Sequence, residues 1–249
     1  GVRNLRIKDE VLFAIGAGNQ IVGVTNYCNY PEEAKAKQKV GGIVNPNIET
    51  IISLKPDVIL LSMEGNVRND FEKLTSCGVP VFVTNPRNLK GIYKSLEQLG
   101  VLTDKNKNAD VLVKAMKSRV DSIVKNVASK KKKSVLFFVS LQPIIVVGKN
   151  TFLQELLERA GGANAATKAK GAYPQYSREA VLKDNPDVLI FLSDVLPPDL
   201  TTLFPEWAKL NAIRQKRIFR VDADIVSRPG PRAVDGLKAL FGIFHEHHE

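Results

Sequence analysis

A repeat at an offset of 130 residues is the feature that most constrains the fold of this chain. The two copies are Asn47-Ile48-Glu49 leading to Pro56-Asp57-Val58-Ile59-Leu60, and Ser177-Arg178-Glu179 leading to Pro186-Asp187-Val188-Leu189-Ile190. Asn and Ser are favoured N-cap residues, so each copy predicts a short helix whose second residue is a glutamate. Proline ends each helix, and an apolar strand follows. A fixed offset of this kind indicates a duplicated structural unit.

Helices and strands alternate on both sides of the repeat. The continuous apolar runs at 57–62 and 187–192 are typical of strands buried on both faces of a parallel sheet. Further strands are predicted at 21–25, 79–84, 134–140, 144–147 and 218–221. Helices are predicted at 11–15, 48–55, 70–76, 88–99, 151–160, 178–183 and 231–244, and Gly100 is expected to end the helix before it. The alternation predicts α/β lobes with parallel sheets.

A segment without glycine or proline, from Asp104 to Lys130, separates the two copies. Its apolar residues recur at helical spacings. They are Val111, Leu112, Ala115, Met116, Val120, Ile123, Val124 and Val127. At 1.5 Å per residue this helix would be ~40 Å long. We therefore predict an α/β fold of two similar lobes joined by one long helix: an N-terminal lobe at 1–103, a linking helix at 104–132 and a C-terminal lobe at 133–249.

The rare residues exclude histidine-dependent catalysis and histidine-ligated metal sites in the body of the chain. All three histidines, His245, His247 and His248, lie in the last five positions, so the body has no histidine base and no histidine metal ligand. Cys28 and Cys77 lack the CxxC spacing, and their sequence positions allow either a disulfide or two thiols. Gly16-Ala17-Gly18 begins like a dinucleotide-binding motif, but its sixth position is Ile21 and a helix precedes it. We predict no catalysis, no metal and no cofactor.

The net charge of +10 does not by itself indicate nucleic-acid binding. The only basic run is Lys130 to Lys133, and no basic stripe alternates with aromatic residues as single-strand binders require. This run is predicted to be the solvated end of a helix, so a nucleic-acid partner is not expected.

Glu49 and Glu179 allow two interpretations. An acid in the first turn stabilises its helix by ~0.3–1 kcal/mol through the helix dipole. Their equivalent places in the two copies could instead present matching negative charges to a two-fold partner that carries basic sockets.

Several short motifs follow one another along nearly the whole chain. They are Val22-Gly23-Val24-Thr25-Asn26-Tyr27-Cys28-Asn29-Tyr30-Pro31, Val40-Gly41-Gly42, Asn47-Ile48-Glu49 with Leu54-Lys55-Pro56-Asp57, Phe152-Leu153 with Gly161-Gly162-Ala163-Asn164, Ser177-Arg178-Glu179, and Arg228-Pro229-Gly230-Pro231-Arg232. In this order they resemble the class III substrate-binding proteins of cobalamin and ferric-siderophore ABC importers, whose lobes are joined by one long helix. The tyrosine-rich segment at 27–31 favours the cobalamin-binding branch.

The resemblance implies a solute-binding protein, not an enzyme, which holds its ligand in a cleft between the lobes. The implied ligand is cobalamin or a related corrinoid, and the alternative is a ferric siderophore or haem. The implied partner is the transmembrane permease dimer of an ABC importer, and the protein is expected to be a monomer. It is expected in the periplasm, or extracellular and membrane-anchored, although the sequence from Gly1 contains no signal segment.

The resemblance also assigns roles to particular residues. The implied ligand-binding positions are Tyr27, Ile43, Ser62, Tyr173, Asp224 and Arg228, while Glu49 and Glu179 match paired glutamates that engage arginines of the permease. A corrinoid is a flat ring fringed with amides, which suits aromatic walls and a few fixed polar groups. Some cobalamin binders have tryptophan where this chain has Ile43, Ser62 and Tyr173. The apolar first strand of the family is replaced here by residues 4–10.

Overall fold

The computed structural model describes residues 5–7, 10–42, 45–62 and 67–245. The chain divides into two compact units, residues 1–116 and 117–249. Each unit has its own sheet and its own hydrophobic core. In the ranges described, no helix is both long enough and apolar enough to cross a membrane.

Unit 1 is built on a parallel five-stranded sheet in the order β3-β2-β1-β4-β5. The strands are β1 (Leu5–Ile7), β2 (Ile21–Val24), β3 (Gln38–Lys39), β4 (Val58–Ser62) and β5 (Val81–Thr84). The helices are α1 (Glu10–Ala14), α2 (Glu32–Lys35), α3 (Ile48–Ser53), α4 (Val67–Ser76) and α5 (Leu89–Thr103), and α6 (Asn106–Val127) begins in unit 1 and continues into unit 2. β1 pairs with both β2 and β4, so the segment that replaces the family's first strand still forms the central strand of this sheet.

Unit 2 contains a second sheet in the order β10-β9-β6-β7, with β8 also paired to β6. Its strands are β6 (Lys133–Leu141), β7 (Ile144–Val146), β8 (Gly162–Asn164), β9 (Val188–Leu192) and β10 (Ile218–Val221). Its helices are α7 (Phe152–Arg159), α8 (Arg178–Asp184), α9 (Leu200–Leu203), α10 (Asn211–Arg214), α11 (Ala223–Val226) and α12 (Ala233–His245). β7 is antiparallel to β6, whereas the other pairs are parallel.

The repeat read from the sequence corresponds to equivalent substructures. α3 leads into β4, which lies between β1 and β5, and α8 leads into β9, which lies between β6 and β10. The side chain of Asn47 accepts the Thr50 amide at 3.0 Å, and that of Ser177 accepts the Ala180 amide at 3.0 Å. Both predicted N-caps are therefore confirmed, and Glu49 and Glu179 each occupy the second helical position.

The expectation that Gly100 ends a helix is wrong. α5 continues through Gly100 to Thr103 and ends at Asp104, which has a left-handed φ of 58°. A Cβ added at Gly100 would lie 2.7 Å from the Cβ of Ala109 in α6. This glycine therefore permits the close packing of two helices rather than ending one of them.

The buried face of α6 agrees only in part with the predicted one. Met116, Val120 and Val127 are buried as predicted, but Ala109 and Val113 are buried as well, and Val111 is 68% exposed. Each residue advances a helix by 100°, so Val111 lies about 200° away from Val113. The helix has 22 residues and is therefore about 33 Å long, shorter than predicted. The division between the two units falls within it.

The Gly161-to-Asn164 motif has a structural role in unit 2. The buried Asn164 side chain donates from Nδ2 to the Val147 carbonyl at 2.8 Å and to Gln154 Oε1 at 2.5 Å. Its Oδ1 accepts the Ala166 amide at 2.9 Å. One side chain thus links β8 to the segment after β7, to α7 and to the turn that follows β8. Buried polar groups are stable only when they are paired in this way.

Candidate functional site

Tyr27 lies on the loop that follows β2, at the carboxyl end of the sheet of unit 1. Ligands of open α/β sheets commonly bind beyond this end of the strands. The side chain of Tyr27 is 59% exposed, and its ring lies beside the backbone of Gly42. The loop is fixed to the next segment because the Asn26 amide donates to the Gly41 carbonyl at 3.0 Å. Tyr27 is therefore an aromatic surface on a fixed backbone.

Cys28 follows Tyr27 on this loop and does not form a disulfide with Cys77. Cys28 is buried and Cys77 is exposed, and both are thiols. Lys39 Nζ donates to the Cys28 carbonyl at 3.0 Å, which ties the loop to β3. The sequence allowed either a disulfide or two thiols, and the structure has two thiols.

Tyr173 is the corresponding exposed aromatic residue of unit 2, with 52% of its side-chain surface exposed. Its loop lies along β7, because the Gly148 amide donates to the Ala172 carbonyl at 2.8 Å and the Val146 amide to the Pro174 carbonyl at 3.2 Å. A Cβ at Gly148 would lie 2.5 Å from the Gly171 carbonyl oxygen. Only glycine at position 148 lets the tyrosine-bearing loop approach so closely.

Asp224 and Arg228 form an ion pair after β10, at the carboxyl end of the sheet of unit 2. Arg228 Nη2 lies 2.7 Å from Asp224 Oδ1, and the two side chains remain 36% and 32% exposed, respectively. A half-exposed pair of this kind contributes only ~0–1 kcal/mol to stability. It does fix a guanidinium and a carboxylate side by side, which gives a ligand donors and acceptors at defined positions.

Glu49 and Glu179 are both exposed in the first turns of α3 and α8. Each of these helices precedes a strand of the sheet, so its first turn lies towards the carboxyl end of that sheet. The backbone amide of Glu179, the Ser177 hydroxyl and Arg178 lower the pKa of the Glu179 carboxyl. Glu179 is therefore ionised at neutral pH, as a salt-bridging carboxylate must be.

Two predicted ligand positions lack a described side chain. Ile43 lies outside the described residues, and Ser62 is described only as the last backbone position of β4. Their roles stay predictions, as does the cleft between the lobes. Tyr30, 49% exposed on the same loop as Tyr27, was not singled out from the sequence as a site residue, although the tyrosine-rich segment contained the signal for it.

Among the residues described, no three His, Cys, Asp or Glu side chains come together in a group that could hold a metal ion. The polar groups of the predicted ligand positions that the structure describes are instead the hydroxyls of Tyr27 and Tyr173, the Asp224 carboxylate and the Arg228 guanidinium. Such groups suit hydrogen bonding to a whole organic ligand.

Comparison with known proteins gives the family. The model of the family described as "Periplasmic binding protein" matches residues 8–225. The chain is 36% identical over 239 residues to the uncharacterized ABC transporter substrate-binding lipoprotein YvrC of Bacillus subtilis (strain 168), with 93% of this chain and 75% of that protein covered. It is 26% identical over 229 residues to the vitamin B12-binding protein of Vibrio campbellii (strain ATCC BAA-1116), with 92% and 82% covered.

The fold has a clear counterpart among solved structures. A possible iron-binding (periplasmic solute-binding) protein from Staphylococcus epidermidis ATCC 12228 superimposes with a TM-score of 0.85 at 32% identity, over 98% of this chain and 99% of that one. The predicted two-lobed α/β architecture is confirmed by this likeness and by the two sheets. The expected location, periplasmic or membrane-anchored, is that of relatives named periplasmic or lipoprotein.

Relatives of this kind are transport components that bind a small ligand and work with a membrane permease, and they are not enzymes. The prediction that the chain has no catalytic activity agrees with this assignment. The chain belongs to the periplasmic binding protein family and is a substrate-binding protein of an ABC transporter.

Proposed function

We propose that this protein binds cobalamin or a related corrinoid and delivers it to the permease dimer of an ABC importer. The observation that carries the proposal is that each unit exposes a tyrosine on a loop held by backbone hydrogen bonds, Tyr27 in unit 1 and Tyr173 in unit 2. A tyrosine side chain combines a broad apolar ring with a hydroxyl, which suits contact with a large organic ligand. The likeness to vitamin B12-binding proteins of Vibrio species supports a corrinoid as that contact.

The chemistry of these groups suits a corrinoid. The faces of the macrocycle are broad and apolar, and a tyrosine ring can pack against them. Amide side chains surround the macrocycle, and each amide offers a carbonyl acceptor and an NH₂ donor. The Arg228 guanidinium can donate to the carbonyls, and the Asp224 carboxylate can accept from the NH₂ groups. The expected contributions of Ile43 and Ser62 are part of the same proposal.

Calorimetric titration of the purified protein with cyanocobalamin tests this function. We expect one-to-one binding, which weakens in Tyr27→Ala and in Tyr173→Ala. Covering about 80–100 Å² of tyrosine surface is worth ~2 kcal/mol, so each substitution should weaken binding about 30-fold. Phe71→Ala is the matched control, because Phe71 is also an exposed aromatic residue (37%) but lies on α4. Wild-type protein that does not bind cyanocobalamin would refute the proposal.

Iron-chelate uptake is the second candidate, favoured by the 32% identity to a possible iron-binding protein of Staphylococcus epidermidis. The net charge of +10 suits an anionic ferric siderophore or haem. Parallel titrations with haem and with a ferric siderophore separate the candidates. Binding of an iron chelate without binding of cyanocobalamin would assign the protein to iron uptake.

For delivery to the permease, we propose that Glu49 and Glu179 dock the protein, as a monomer, on basic groups of the two permease subunits. Both carboxylates are exposed at equivalent helix positions. Stimulation of ATP hydrolysis by the reconstituted importer measures docking. We expect Glu49→Lys/Glu179→Lys to abolish stimulation without changing ligand affinity, and unchanged stimulation would disprove the docking role.

A further inference from the structure

A short part of the chain carries most of its positive charge. The segment at 105–133 contains ten cations and two acids, a net charge of +8, while the whole chain has a net charge of +10. α6 makes up most of this segment, and the lysine run at 130–133 follows it. The rest of the chain is therefore close to neutral, and the excess charge is concentrated on one helix and the residues after it.

α6 has an inner side and an outer side. The buried residues of the inner side are Ala109, Val113, Met116, Val120 and Val127. At about 100° per residue these five positions fall within an arc of about 60°, which defines the opposite side of the helix as the outer one. Six exposed residues occupy the outer side: Lys107, Val111, Lys114, Ser118, Ser122 and Lys125.

The three lysines of the outer side form a line along the helix. Lys114 follows Lys107 by about two turns, and Lys125 follows Lys114 by about three turns. The three positions therefore lie within about 20° of one another around the helix axis, and the line is ~27 Å long. The two acids of α6, Asp110 and Asp121, lie about 40–60° to one side of this line.

The charges of this line are not neutralised within the protein. Among the residues that the structure describes, Lys107, Lys114 and Lys125 take part in no ion pair. Arg119, on the flank of the same helix, is by contrast paired with Asp235 of α12, with 2.6 Å between Nη2 and Oδ1. The exposed lysines at 130–132 follow the carboxyl end of α6. The outer side of α6 thus presents uncompensated positive charge to solvent.

We propose that the outer side of α6 binds an anionic phospholipid surface, with Lys107, Lys114 and Lys125 beside the phosphate groups. A long line of like charges is complementary to an extended anionic surface rather than to one small anion. Substrate-binding proteins of ABC transporters work with a membrane permease, so a lipid bilayer is the extended surface at their place of action. The inference does not depend on which ligand the protein carries.

Sedimentation with phospholipid vesicles tests the proposal. We expect the protein to bind vesicles of equal parts phosphatidylglycerol and phosphatidylcholine, and not vesicles of phosphatidylcholine alone. Each lysine beside an anionic membrane strengthens binding about fivefold, so Lys107→Gln/Lys114→Gln/Lys125→Gln should weaken binding about 100-fold. Arginine at the same three positions should keep binding within about twofold of wild type. Binding should also weaken as the salt concentration rises from about 50 to 500 mM, because exposed charges are screened.

A matched variant separates the line of lysines from the net charge alone. Lys73→Gln/Lys183→Gln/Lys209→Gln removes the same charge from exposed positions on α4, on α8 and after α9. Its binding to the anionic vesicles should stay within about threefold of wild type. Equal losses in the two glutamine variants, or no binding of the wild type to these vesicles, would overturn the proposal. Binding to soluble polyphosphate but not to vesicles would exclude a lipid surface, and circular dichroism checks that each variant is folded.

Discussion

The buried side chain of Asn164 gives the sharpest stability prediction, and Asn164→Ala is the perturbation. The substitution removes both donated hydrogen bonds and the accepted one. It leaves the Val147 carbonyl, Gln154 Oε1 and the Ala166 amide without this partner in a buried region. An unsatisfied buried polar group costs ~1–3 kcal/mol. Three groups lose their partner, and local relaxation of the structure recovers part of the cost. We therefore expect the free energy of unfolding to fall by about 3–5 kcal/mol.

Trp207 provides an assay that reports on the right unit. It is the only tryptophan of the chain and is fully buried in the core of unit 2, where it stacks on Phe204 with ring centres 4.1 Å apart. Its fluorescence in a urea titration therefore follows the unfolding of unit 2, which also contains Asn164. Far-UV circular dichroism then checks whether unit 1 unfolds in the same transition.

Ser177→Ala is the matched control for this experiment. It removes the hydrogen bond from the Ala180 amide and the interaction of the Ser177 hydroxyl with the Glu179 carboxyl, in the same unit but at an exposed N-cap. Water can replace that bond, so we expect a loss of only ~1 kcal/mol. Equal losses for the two variants would refute the argument that burial makes the Asn164 network costly to break.

Two other predictions concern helix packing and pH. Gly100→Ala should destabilise unit 1 by about 1 kcal/mol despite the higher helix propensity of alanine, because the new Cβ would lie 2.7 Å from that of Ala109. In an Ala109→Gly background the same substitution should become neutral or stabilising in thermal melts, and a loss of equal size in both backgrounds would exclude this contact as the cause. Burial and the neighbouring Lys130 and Lys133 lower the pKa of His245, whose Nε2 lies 2.9 Å from the Ala160 carbonyl oxygen. The unfolded chain therefore binds a proton near pH 6.5 that the folded protein resists, so stability should fall as the pH drops below about 6.5. His245→Gln should lose less stability than wild type between pH 7.5 and 5.5 in urea titrations, whereas identical losses would contradict the assignment.

Local sequence determined the repeated elements of this protein. The N-caps Asn47 and Ser177 fix where two helices begin, because each side chain accepts an amide only three residues away. Apolar runs such as 188–192 predicted buried strands, and the first four of these residues are fully buried. These features depend on near neighbours in the chain, so the sequence displays them. Glu49 and Glu179 were located in this way.

Contacts between residues far apart in sequence determined the features that the sequence did not predict correctly. Gly100 was predicted to end a helix, but its role depends on Ala109 of the next helix. The buried face of α6 was predicted only in part, because a helix rich in apolar residues offers several possible faces and packing selects one: Met116 and Val120 are buried as predicted, but Val111 is exposed. Residues 5–7 became a central strand because two neighbouring strands pair with them, which a three-residue run does not reveal.

For the candidate site, too, the sequence indicated the residue types and the tertiary structure decided their placement. The sequence identified Tyr27, Tyr173, Asp224 and Arg228 as residue types suited to a ligand. Only the folded chain showed that the two tyrosines are exposed on fixed loops and that Arg228 pairs with Asp224. Exposure and pairing depend on hydrogen bonds between segments far apart in sequence, such as that from Gly148 to Ala172. The sequence thus determines the chemistry of each side chain, and the tertiary structure determines its exposure and its contacts.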